Sequence, residues 1–371
     1  MKIKYFDPKN SIVNFSNSLL KHFNVSQFNE SIPAIDDILK GHKRVFVILF
    51  DGMGTALIEN HLPKGALLKR NRIHTMTSTF PPTTVAATNG FLSGKFPIEN
   101  GWLGWSQYFP EFDANVDLFS GRHNITKEPL MNGADIRKML DYDDIMTLIK
   151  RQNPEMHVTS VWPSIKPNGA ETIDVFFQML DKEARVIGPK FVYGYWIQPD
   201  LDTHDYGVSH KAITKIIRDI NKRVEQLSKS HANTLFLIIA DHGLVDIEFI
   251  GEDDNKKLFN LLEHPFSNEP RAANFFVKDK KERAFKRLFN KEYGHHFILK
   301  SKEEILNEQW YGPGIPHPMI ERFVGDFLAI ATDRYSFDHT KDGQLVHNEM
   351  KAHHAGLTID EMLIDIVALN K

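Results

Sequence analysis

Two short polar segments place a carboxylate close to an imidazole along the chain. Asp200 and His204 lie four residues apart, and Asp241 and His242 are adjacent. Carboxylate oxygen and imidazole nitrogen are ligand types that zinc and manganese accept. A polar turn whose aspartate caps the next helix would explain either segment alone, because turns rich in aspartate are common. The two segments together favour metal chemistry.

The segment from Ser78 to Gly94 contains two prolines, then Thr83 and Thr84, then a run of small residues. This pattern predicts a loop that leads into a helix, with one threonine near the helix N-terminus. Such a threonine is often only an N-cap, which stabilises a helix by about 1 kcal/mol. In the functional interpretation, its hydroxyl is a nucleophile activated by a metal ion, and the first-turn N–H groups bind a phosphoryl oxygen.

Three apolar runs would position these residues, and each run leads into an aspartate. The runs are Val45–Phe50, Phe191–Ile197 and Leu235–Ala240, and the aspartates are Asp51, Asp200 and Asp241. Between the second and third runs, apolar residues at helical spacing predict an amphipathic helix over about 213–227. A strand, a helix and a strand in succession predict parallel pairing, and ligands bind at the carboxyl ends of parallel strands. The sequence therefore predicts an α/β fold that gathers the three aspartates at one site.

The remaining segments are less regular. Residues 97–155 and 245–320 are rich in loop-forming residues, and we expect them to be insertions or lids over the site. Further predicted elements are a strand at Asn274–Val277, a helix near Lys280–Phe289, a strand at Phe327–Thr332, a turn at 342–343 and a final helix from Thr358. Thr358 and Glu361 form the capping-box pattern that predicts this last helix.

Composition narrows the class of protein. The chain has 371 residues, of which 42% are hydrophobic and 25% charged, which is typical of a folded globular protein and not of a disordered one. Its formal net charge of −3 gives no general attraction to nucleic acid or anionic membrane, and we expect neither as a partner. The absence of cysteine excludes disulfides and thiolate ligands. Together with the lack of a signal-peptide pattern, it leads us to expect a cytoplasmic location.

Six motifs occur in a fixed order along the chain. They are Phe50-Asp51-Gly52-Met53-Gly54, Phe80-Pro81-Pro82-Thr83-Thr84, Ser93-Gly94-Lys95-Phe96-Pro97, the segment from Pro199 to Gly207, Ala240-Asp241-His242-Gly243 and His353-His354-Ala355-Gly356-Leu357. This ordered set resembles the alkaline phosphatase superfamily, and within it the type I phosphodiesterase and nucleotide pyrophosphatase group. The resemblance implies one alkaline-phosphatase-like catalytic domain over residues 1–371. Its fold would be a three-layer sandwich with a mostly parallel central sheet and inserted lid regions at 97–155 and 245–320.

The resemblance also implies a two-metal site. Asp200, His204 and His354 would hold one divalent ion, and the other would be held by Asp51, Thr84, Asp241 and His242. Zinc is the expected metal, and manganese accepts the same ligands. Thr84 would be the nucleophile and would form a phosphothreonine-type intermediate.

The position of the nucleophile has three candidates. Thr79 precedes Phe80-Pro81 and so matches the threonine-phenylalanine-proline motif of the nucleotide pyrophosphatases, and Thr83 is one residue from Thr84. Counting back ten residues from Gly94, the distance typical of the family glycine, gives Thr84. At the last motif His354 fits the family pattern better than His353, which would lie behind the ligands or on the surface.

Two departures from the family pattern concern the substrate. The family has an asparagine that supports the phosphoryl oxygen, and its place here is near Trp105, with neither Asn89 nor Asn100 assignable to that role. The aromatic residue that follows the family's nucleophile is replaced by Val85, which puts a preference for nucleotides in doubt. An aromatic wall could come instead from Trp102, Trp105, Tyr108 and Trp162, although such residues more often belong to a core.

The expected activity is hydrolysis of small-molecule phosphate diesters. A phosphomonoesterase or a phosphonate hydrolase would use the same ligands, and a catalytically silent metal-binding or ligand-binding module is the alternative from another class. His210, Asp202 and Asp205 are expected to be solvated or to lie behind the ligands. The sequence leaves the oligomeric state open.

Overall fold

A computed structural model describes residues 1–130, 136–341, 343–347 and 349–371. The strands are β1 Arg44–Phe50, β2 Arg72–Thr77, β3 Ser106–Phe109, β4 Ala114–Asp117, β5 Arg122–His123, β6 His157–Val161, β7 Lys190–Trp196, β8 Leu235–Ile239, β9 Val245–Asp246, β10 Glu248–Gly251, β11 Ser267–Glu269, β12 Ala272–Phe275, β13 Phe297–Ser301, β14 Phe327–Ala331, β15 Tyr335–Asp338, β16 Thr340–Lys341, β17 Gln344–Leu345, β18 Ala352–His353 and β19 Leu363–Leu369.

The α-helices are α1 Ile12–His22, α2 Pro33–Leu39, α3 Thr55–His61, α4 Leu67–Arg70, α5 Thr84–Ser93, α6 Pro97–Asn100, α7 Ile145–Gln152, α8 Ile173–Arg185, α9 Asp200–Tyr206, α10 Lys211–Ser230, α11 Lys256–Phe259, α12 Glu282–Tyr293, α13 Lys302–Asn307, α14 Ile320–Phe323 and α15 Ile359–Met362. Short 3-10 helices span Ile136–Lys138 and Glu252–Asn255. Within the described ranges, none of the helices has the length and apolarity needed to cross a membrane.

The central sheet has the strand order β2-β19-β8-β1-β7-β6 in the described part of the chain. β1 pairs in parallel with β7 on one side and with β8 on the other, and β6 extends the parallel set beyond β7. β19 runs antiparallel to both of its neighbours. The apolar runs predicted as strands are these buried strands. The predicted α/β class with a mostly parallel central sheet is therefore confirmed.

Helices cover both faces of this sheet. On β7, Tyr193 contacts Phe91 of α5, with ring centroids 5.2 Å apart. The next residue, Gly194, faces α8, where an added Cβ would lie 3.1 Å from Leu180. Successive residues of a strand point to opposite faces, so α5 and α8 lie on opposite sides of the sheet. The predicted amphipathic helix is α10, which contacts α8 and buries the apolar stripe that includes Ile213.

A second sheet combines strands from both segments that were predicted as insertions. Its order is β13-β14-β12-β11-β3-β4-β5 among the described residues, and its pairings are antiparallel. The two segments meet where Ser106 of β3 pairs with Asn268 of β11. A separate apolar cluster rich in phenylalanine packs against this sheet. Residues 131–135 of the first segment, and residue 342 of the predicted turn, lie outside the described residues; the single-domain division of 1–371 stays a prediction.

The predicted final helix is wrong beyond its first turn. Thr358 and Glu361 form the expected capping box, but α15 ends at Met362 and the chain continues as β19. The capping signal is local, whereas Ile364, Ile366 and Val367 are β-branched residues that are buried in the central sheet. Pairing with β2 and β8 therefore outweighs the helix signal. Smaller differences are β12, which starts two residues before the predicted strand, and α12, which ends four residues after the predicted helix.

A buried ion pair joins the second sheet to the C-terminal segment. Arg271, in the turn between β11 and β12, donates from Nε and Nη2 to the two carboxylate oxygens of Glu361, at 2.7 and 2.9 Å. Both side chains are fully buried. Glu361 also accepts hydrogen bonds from the backbone N–H groups of Gly356 and Thr358. The pair therefore fixes the loop that follows His354.

Arg271→Met should destabilise the protein strongly, because it leaves the Glu361 carboxylate buried without its cation. Loss of one partner of a buried pair typically costs about 3–5 kcal/mol of the free energy of unfolding. Urea denaturation, monitored by circular dichroism, would measure the change in the free energy of unfolding. The matched control is Arg151→Met, which removes an exposed ion pair with Asp143 and should shift the midpoint little. Equal, small shifts for the two variants would contradict the structural role of the Arg271 pair.

Candidate active site

Three aspartates, two of them buried and Asp200 partly buried, meet at the carboxyl ends of neighbouring parallel strands. β1 lies between β7 and β8, and Asp51, Asp200 and Asp241 follow these strands. The register brings the ends together, because Phe50 pairs with Trp196 and Leu49 with Ile239. The topology thus places the three carboxylates at one edge of the sheet, as the sequence predicted.

Gly52 allows the chain to turn between these carboxylates. Its φ is +68°, a conformation that favours glycine, and an added Cβ would lie 2.8 Å from the Cβ of Asp200. The backbone N–H groups of Gly52 and His242 both donate to Asp241 Oδ1, each at 3.0 Å. One oxygen of Asp241 is therefore held by the backbone, and the other is left free to bind a ligand.

Thr84 lies among these groups, whereas the two alternative threonines do not. Its Oγ1 is 3.3 Å from Asp51 Oδ1 and 3.1 Å from His242 Nε2. Thr83 is the residue before α5, and its hydroxyl donates to Glu269 at 2.6 Å. The Thr79 hydroxyl donates to the carbonyl of Pro81. The geometry thus favours Thr84 as the hydroxyl that could act as nucleophile.

Two groups of side chains could each hold a metal ion. In the described residues, the ligand atoms of Asp200, His204 and His354 lie within 4.8 Å of one another, and so do those of Asp51, Asp200 and His242. Asp241 lies beside the second group, with Oδ2 3.7 Å from His242 Nε2. The structure therefore brings all seven predicted residues together, with Asp200 placed between the two groups.

The imidazoles are oriented for coordination through Nε2 in two cases. His204 Nδ1 is 2.8 Å from the carbonyl oxygen of Ala352, and His242 Nδ1 is 3.1 Å from that of Gly243. A carbonyl only accepts, so each Nδ1 carries a hydrogen, and each ring would present Nε2 to a metal ion in its neutral form. His354 differs, because its Nδ1 is the free atom.

The residues fit divalent cations on the basis of their unpaired buried atoms. Asp200 Oδ1, Asp241 Oδ2 and His354 Nδ1 are buried and have no hydrogen-bond partner among the described residues. Leaving such groups without a partner is costly, and metal coordination would satisfy all three. Oxygen and imidazole nitrogen form a donor set that suits zinc or manganese.

The electrostatics of the cluster favour positive charge. Burial raises the pKa of Asp241 well above its ordinary value, and the negative charge of Asp51 adds to the rise. Burial likewise raises the pKa of Asp51, with a further contribution from Asp200. Burial acts to lower the pKa of His242, but Asp241 and Asp51 raise it to about 10. A site that stabilises a proton on imidazole to this extent has the negative potential that attracts a divalent cation.

Two residues that hydrogen-bond to the site were not identified from the sequence. Tyr195, on β7, donates its hydroxyl to Asp51 Oδ2, and Glu269, at the end of β11, accepts from Thr83. Burial raises the pKa of Glu269 to about 7, against the opposing effect of its hydrogen bonds. Tyr195 is part of an apolar strand and Glu269 belongs to a predicted insertion, so no local motif distinguishes either residue.

His353 is buried rather than at the surface. Its Nδ1 accepts a hydrogen bond of 2.9 Å from the backbone N–H of His354. His354, and not His353, belongs to a candidate ligand group in the described residues, and its ring centroid is 4.0 Å from that of His242.

Neither nearby asparagine is free to support a substrate. Asn89 bonds to the Val85 carbonyl and the Tyr142 hydroxyl, and Asn100 bonds to Ser93, Lys95 and Trp102. These contacts occupy both ends of each amide.

The four aromatic residues that could form an aromatic wall beside a substrate differ in solvent exposure. Trp102 is buried and donates to the Leu140 carbonyl, Tyr108 stacks on His264, and Trp162 packs on Tyr195. Trp105 is 41% exposed and contacts Phe119 edge-on. Of the four, Trp105 has the most surface available to a ligand.

Asp202, Asp205 and His210 are outside both groups of candidate metal ligands in the described residues. Asp202 accepts a hydrogen bond from Gln198, His210 caps α10, and Asp205 is exposed. Their exclusion from the ligand set stays a prediction.

Comparison with known proteins agrees with the fold and the motifs. A family model described as type I phosphodiesterase / nucleotide pyrophosphatase matches residues 45–356. Murine ectonucleotide pyrophosphatase / phosphodiesterase 5 has a similar structure, with 17% identity, 88% of each chain covered and a TM-score of 0.62. The human protein of the same name is 15% identical, with a TM-score of 0.62 over 88% of this chain and 87% of that one.

A third similar structure is an inactive threonine-to-alanine variant of the murine protein in complex with AMP. It is 16% identical, with a TM-score of 0.62 over 88% of this chain and 87% of that one. Because the family model covers most of the chain, the comparison establishes more than a shared fold. The chain belongs to the type I phosphodiesterase / nucleotide pyrophosphatase family of the alkaline phosphatase superfamily, and it is a phosphoric ester hydrolase.

Proposed function

We propose that this protein hydrolyses phosphate diesters through a covalent intermediate on Thr84, with two divalent metal ions, zinc or manganese, bound at the site. The observation that carries the proposal is the position of the Thr84 hydroxyl, within 3.3 Å of both Asp51 Oδ1 and His242 Nε2 at the first residue of α5. A hydroxyl buried among carboxylates and imidazoles has the surroundings that a metal-activated nucleophile requires.

The seven residues divide into two ligand sets in this proposal. Asp200, His204 and His354 would hold one ion. The other would be held by Asp51, Asp241 and His242 together with the Thr84 oxygen. When bound, the ions would supply charge neutralisation on the phosphoryl group and acidify the hydroxyl.

The reaction follows from the position of Thr84 at the helix start. The Thr84 hydroxyl releases its proton to solvent, and its oxygen bonds to phosphorus while the bond from phosphorus to the leaving oxygen breaks. The leaving alkoxide takes up a proton from solvent and departs as the alcohol. The first-turn N–H groups of α5 orient and stabilise the phosphoryl oxygens. Water then attacks phosphorus from the vacated side and releases the Thr84 hydroxyl and a phosphate monoester, with net retention at phosphorus.

The leaving group is not restricted to a nucleotide in this proposal. The AMP complex of the murine variant makes nucleotides one substrate class to test. Val85, which follows the nucleophile, is fully buried and offers no stacking surface to a base. Recognition of a base would therefore depend on other groups, of which Trp105 is the exposed aromatic candidate.

Thr84→Ala should lower kcat/KM for a diester by roughly a thousandfold or more, because Thr84 carries the hydroxyl that contacts both Asp51 and His242, whereas the Tyr195 hydroxyl contacts Asp51 alone in the described residues. Stopped assays with a chromogenic diester would measure the loss. Thr79→Val serves as the control and should retain activity, since that hydroxyl bonds only to Pro81. High activity in Thr84→Ala combined with loss in Thr79→Val would move the nucleophile to Thr79.

Removal of metal should abolish activity, and zinc or manganese should restore it. His354→Ala should lower the bound metal, measured by inductively coupled plasma mass spectrometry, by about one ion per chain, since it removes an imidazole from a three-residue ligand set. His353→Ala, a change of the neighbouring imidazole, should keep the metal content. The same metal content in both variants would contradict the ligand assignment.

A diester such as bis-p-nitrophenyl phosphate should be hydrolysed faster than p-nitrophenyl phosphate by the metal-loaded protein. The reason is that the polar contacts of the Thr84 hydroxyl in the described residues are with Asp51 and His242, and neither a lysine nor an arginine is among these contacts to balance the second charge of a monoester. Parallel measurement of kcat/KM would compare the two substrates. Preference for the monoester would assign the chain to the phosphomonoesterase alternative.

A further inference from the structure

Glu269 is a buried carboxylate next to the nucleophile but outside the two ligand groups. It is the last residue of β11 in the second sheet, and it is 1% exposed. Thr83 belongs instead to the segment that joins β2 of the central sheet to α5, and Thr84 is the first residue of α5. Glu269 thus brings the second sheet into contact with the nucleophile segment.

One oxygen of Glu269 receives two hydrogen bonds. The Thr83 hydroxyl donates to Oε1 at 2.6 Å, and the backbone N–H of Trp105 donates to the same atom at 2.7 Å. Both donors are neutral, and no lysine, arginine or histidine in the described ranges forms an ion pair with this carboxylate. Burying a carboxylate with only neutral donors costs stability, so stability alone does not explain its presence.

The contact with Thr83 changes the helix start. Thr83 is the N-cap residue of α5, and a threonine there normally uses its side-chain oxygen to accept from a first-turn N–H group. Here Thr83 makes no side-chain capping bond, because its hydroxyl is directed to Glu269. The first-turn N–H groups of α5 are therefore not occupied by this side chain and are left available to a phosphoryl group.

We propose that Glu269 is a positioning residue for the nucleophile: it holds Thr83 and the backbone of Trp105, and so fixes the start of α5 and the direction of the Thr84 hydroxyl. This inference rests on the proposed role of Thr84. Small displacements of a reacting group are costly, since an error of about 1 Å can reduce the rate by about 100-fold. The effect should therefore fall on kcat more than on KM.

The test compares variants that remove or keep the acceptor oxygen. Glu269→Leu removes both hydrogen bonds at similar volume and should lower kcat about 10- to 100-fold, with KM changed less than about threefold. Glu269→Gln keeps an acceptor oxygen and should retain kcat within about fivefold of the wild-type protein. A Glu269→Gln variant as impaired as Glu269→Leu would overturn the positioning role in favour of a charge or proton-transfer role.

A double-mutant cycle with Thr83 isolates the contact. Thr83→Val should lower kcat by an amount similar to Glu269→Leu. The double variant should have a kcat little lower than that of either single variant. Thr83→Ser, which keeps the hydroxyl, should retain the activity of the wild-type protein. Asp117→Asn is the matched control, a buried carboxylate of the same sheet that bonds to Asn124. It should leave kcat unchanged. Metal content and thermal midpoint, measured for every variant, would show whether a loss of kcat comes from unfolding or lost ions.

The outcomes separate this inference from the proposed function. If Thr84→Ala is inactive while Glu269→Leu and Thr83→Val keep full kcat, the positioning role fails and the nucleophile assignment stands. Independent, additive losses in the cycle would also overturn the inference. If Thr84→Ala remains active, the proposed function fails irrespective of the Glu269 result.

Discussion

The mutual repulsion of three carboxylates at one edge of the central sheet is the constraint on which the site depends. Asp51, Asp200 and Asp241 follow adjacent parallel strands, and Asp51 and Asp241 are buried while Asp200 is partly buried. Such a cluster is stable only if protons, hydrogen bonds or cations offset its negative charge. The negative charge of Asp241 and Asp51 raises the pKa of His242, and one oxygen each of Asp200 and Asp241 has no hydrogen-bond partner among the described residues to offset its charge. A pair of divalent ions would neutralise it, and this supports the two-metal proposal.

The second sheet contributes to the site through one turn. The β11–β12 hairpin directs Glu269 toward the nucleophile segment and Arg271 toward the loop after His354. Two residues that are two positions apart in the chain thus contact segments that are more than 200 residues apart in sequence. Because one hairpin carries both contacts, the positions of the nucleophile helix and of the His354 loop are linked through the second sheet.

The similarity to the two ectonucleotide pyrophosphatase / phosphodiesterase 5 structures is high in fold and low in sequence. Identities of 15–17% accompany a TM-score of 0.62. The substrate side of the site shows where this chain departs from the family pattern. Val85, next to the nucleophile in sequence, is buried, Asn89 and Asn100 are engaged in hydrogen bonds, and Trp105 is exposed near the position at which the resemblance implies an asparagine. We expect these differences to concern substrate specificity, because none of them involves the carboxylates and imidazoles of the site.

The sequence by itself determined three parallel strands of the central sheet and the aspartate that follows each of them. Continuous apolar runs that end at aspartates are a local signal in the sequence. Because parallel pairing brings the carboxyl ends of strands together, the sequence is sufficient to place Asp51, Asp200 and Asp241 at one site. The tertiary structure alone decided the rest. Leu363–Leu369 became a strand because pairing with β2 and β8 outweighs a local capping box. The roles of Glu269, Tyr195 and the Arg271–Glu361 ion pair could not be predicted, because each depends on contacts between segments that are distant in sequence. The spacing of residues along the chain does not indicate which side chains from different sheets are in contact.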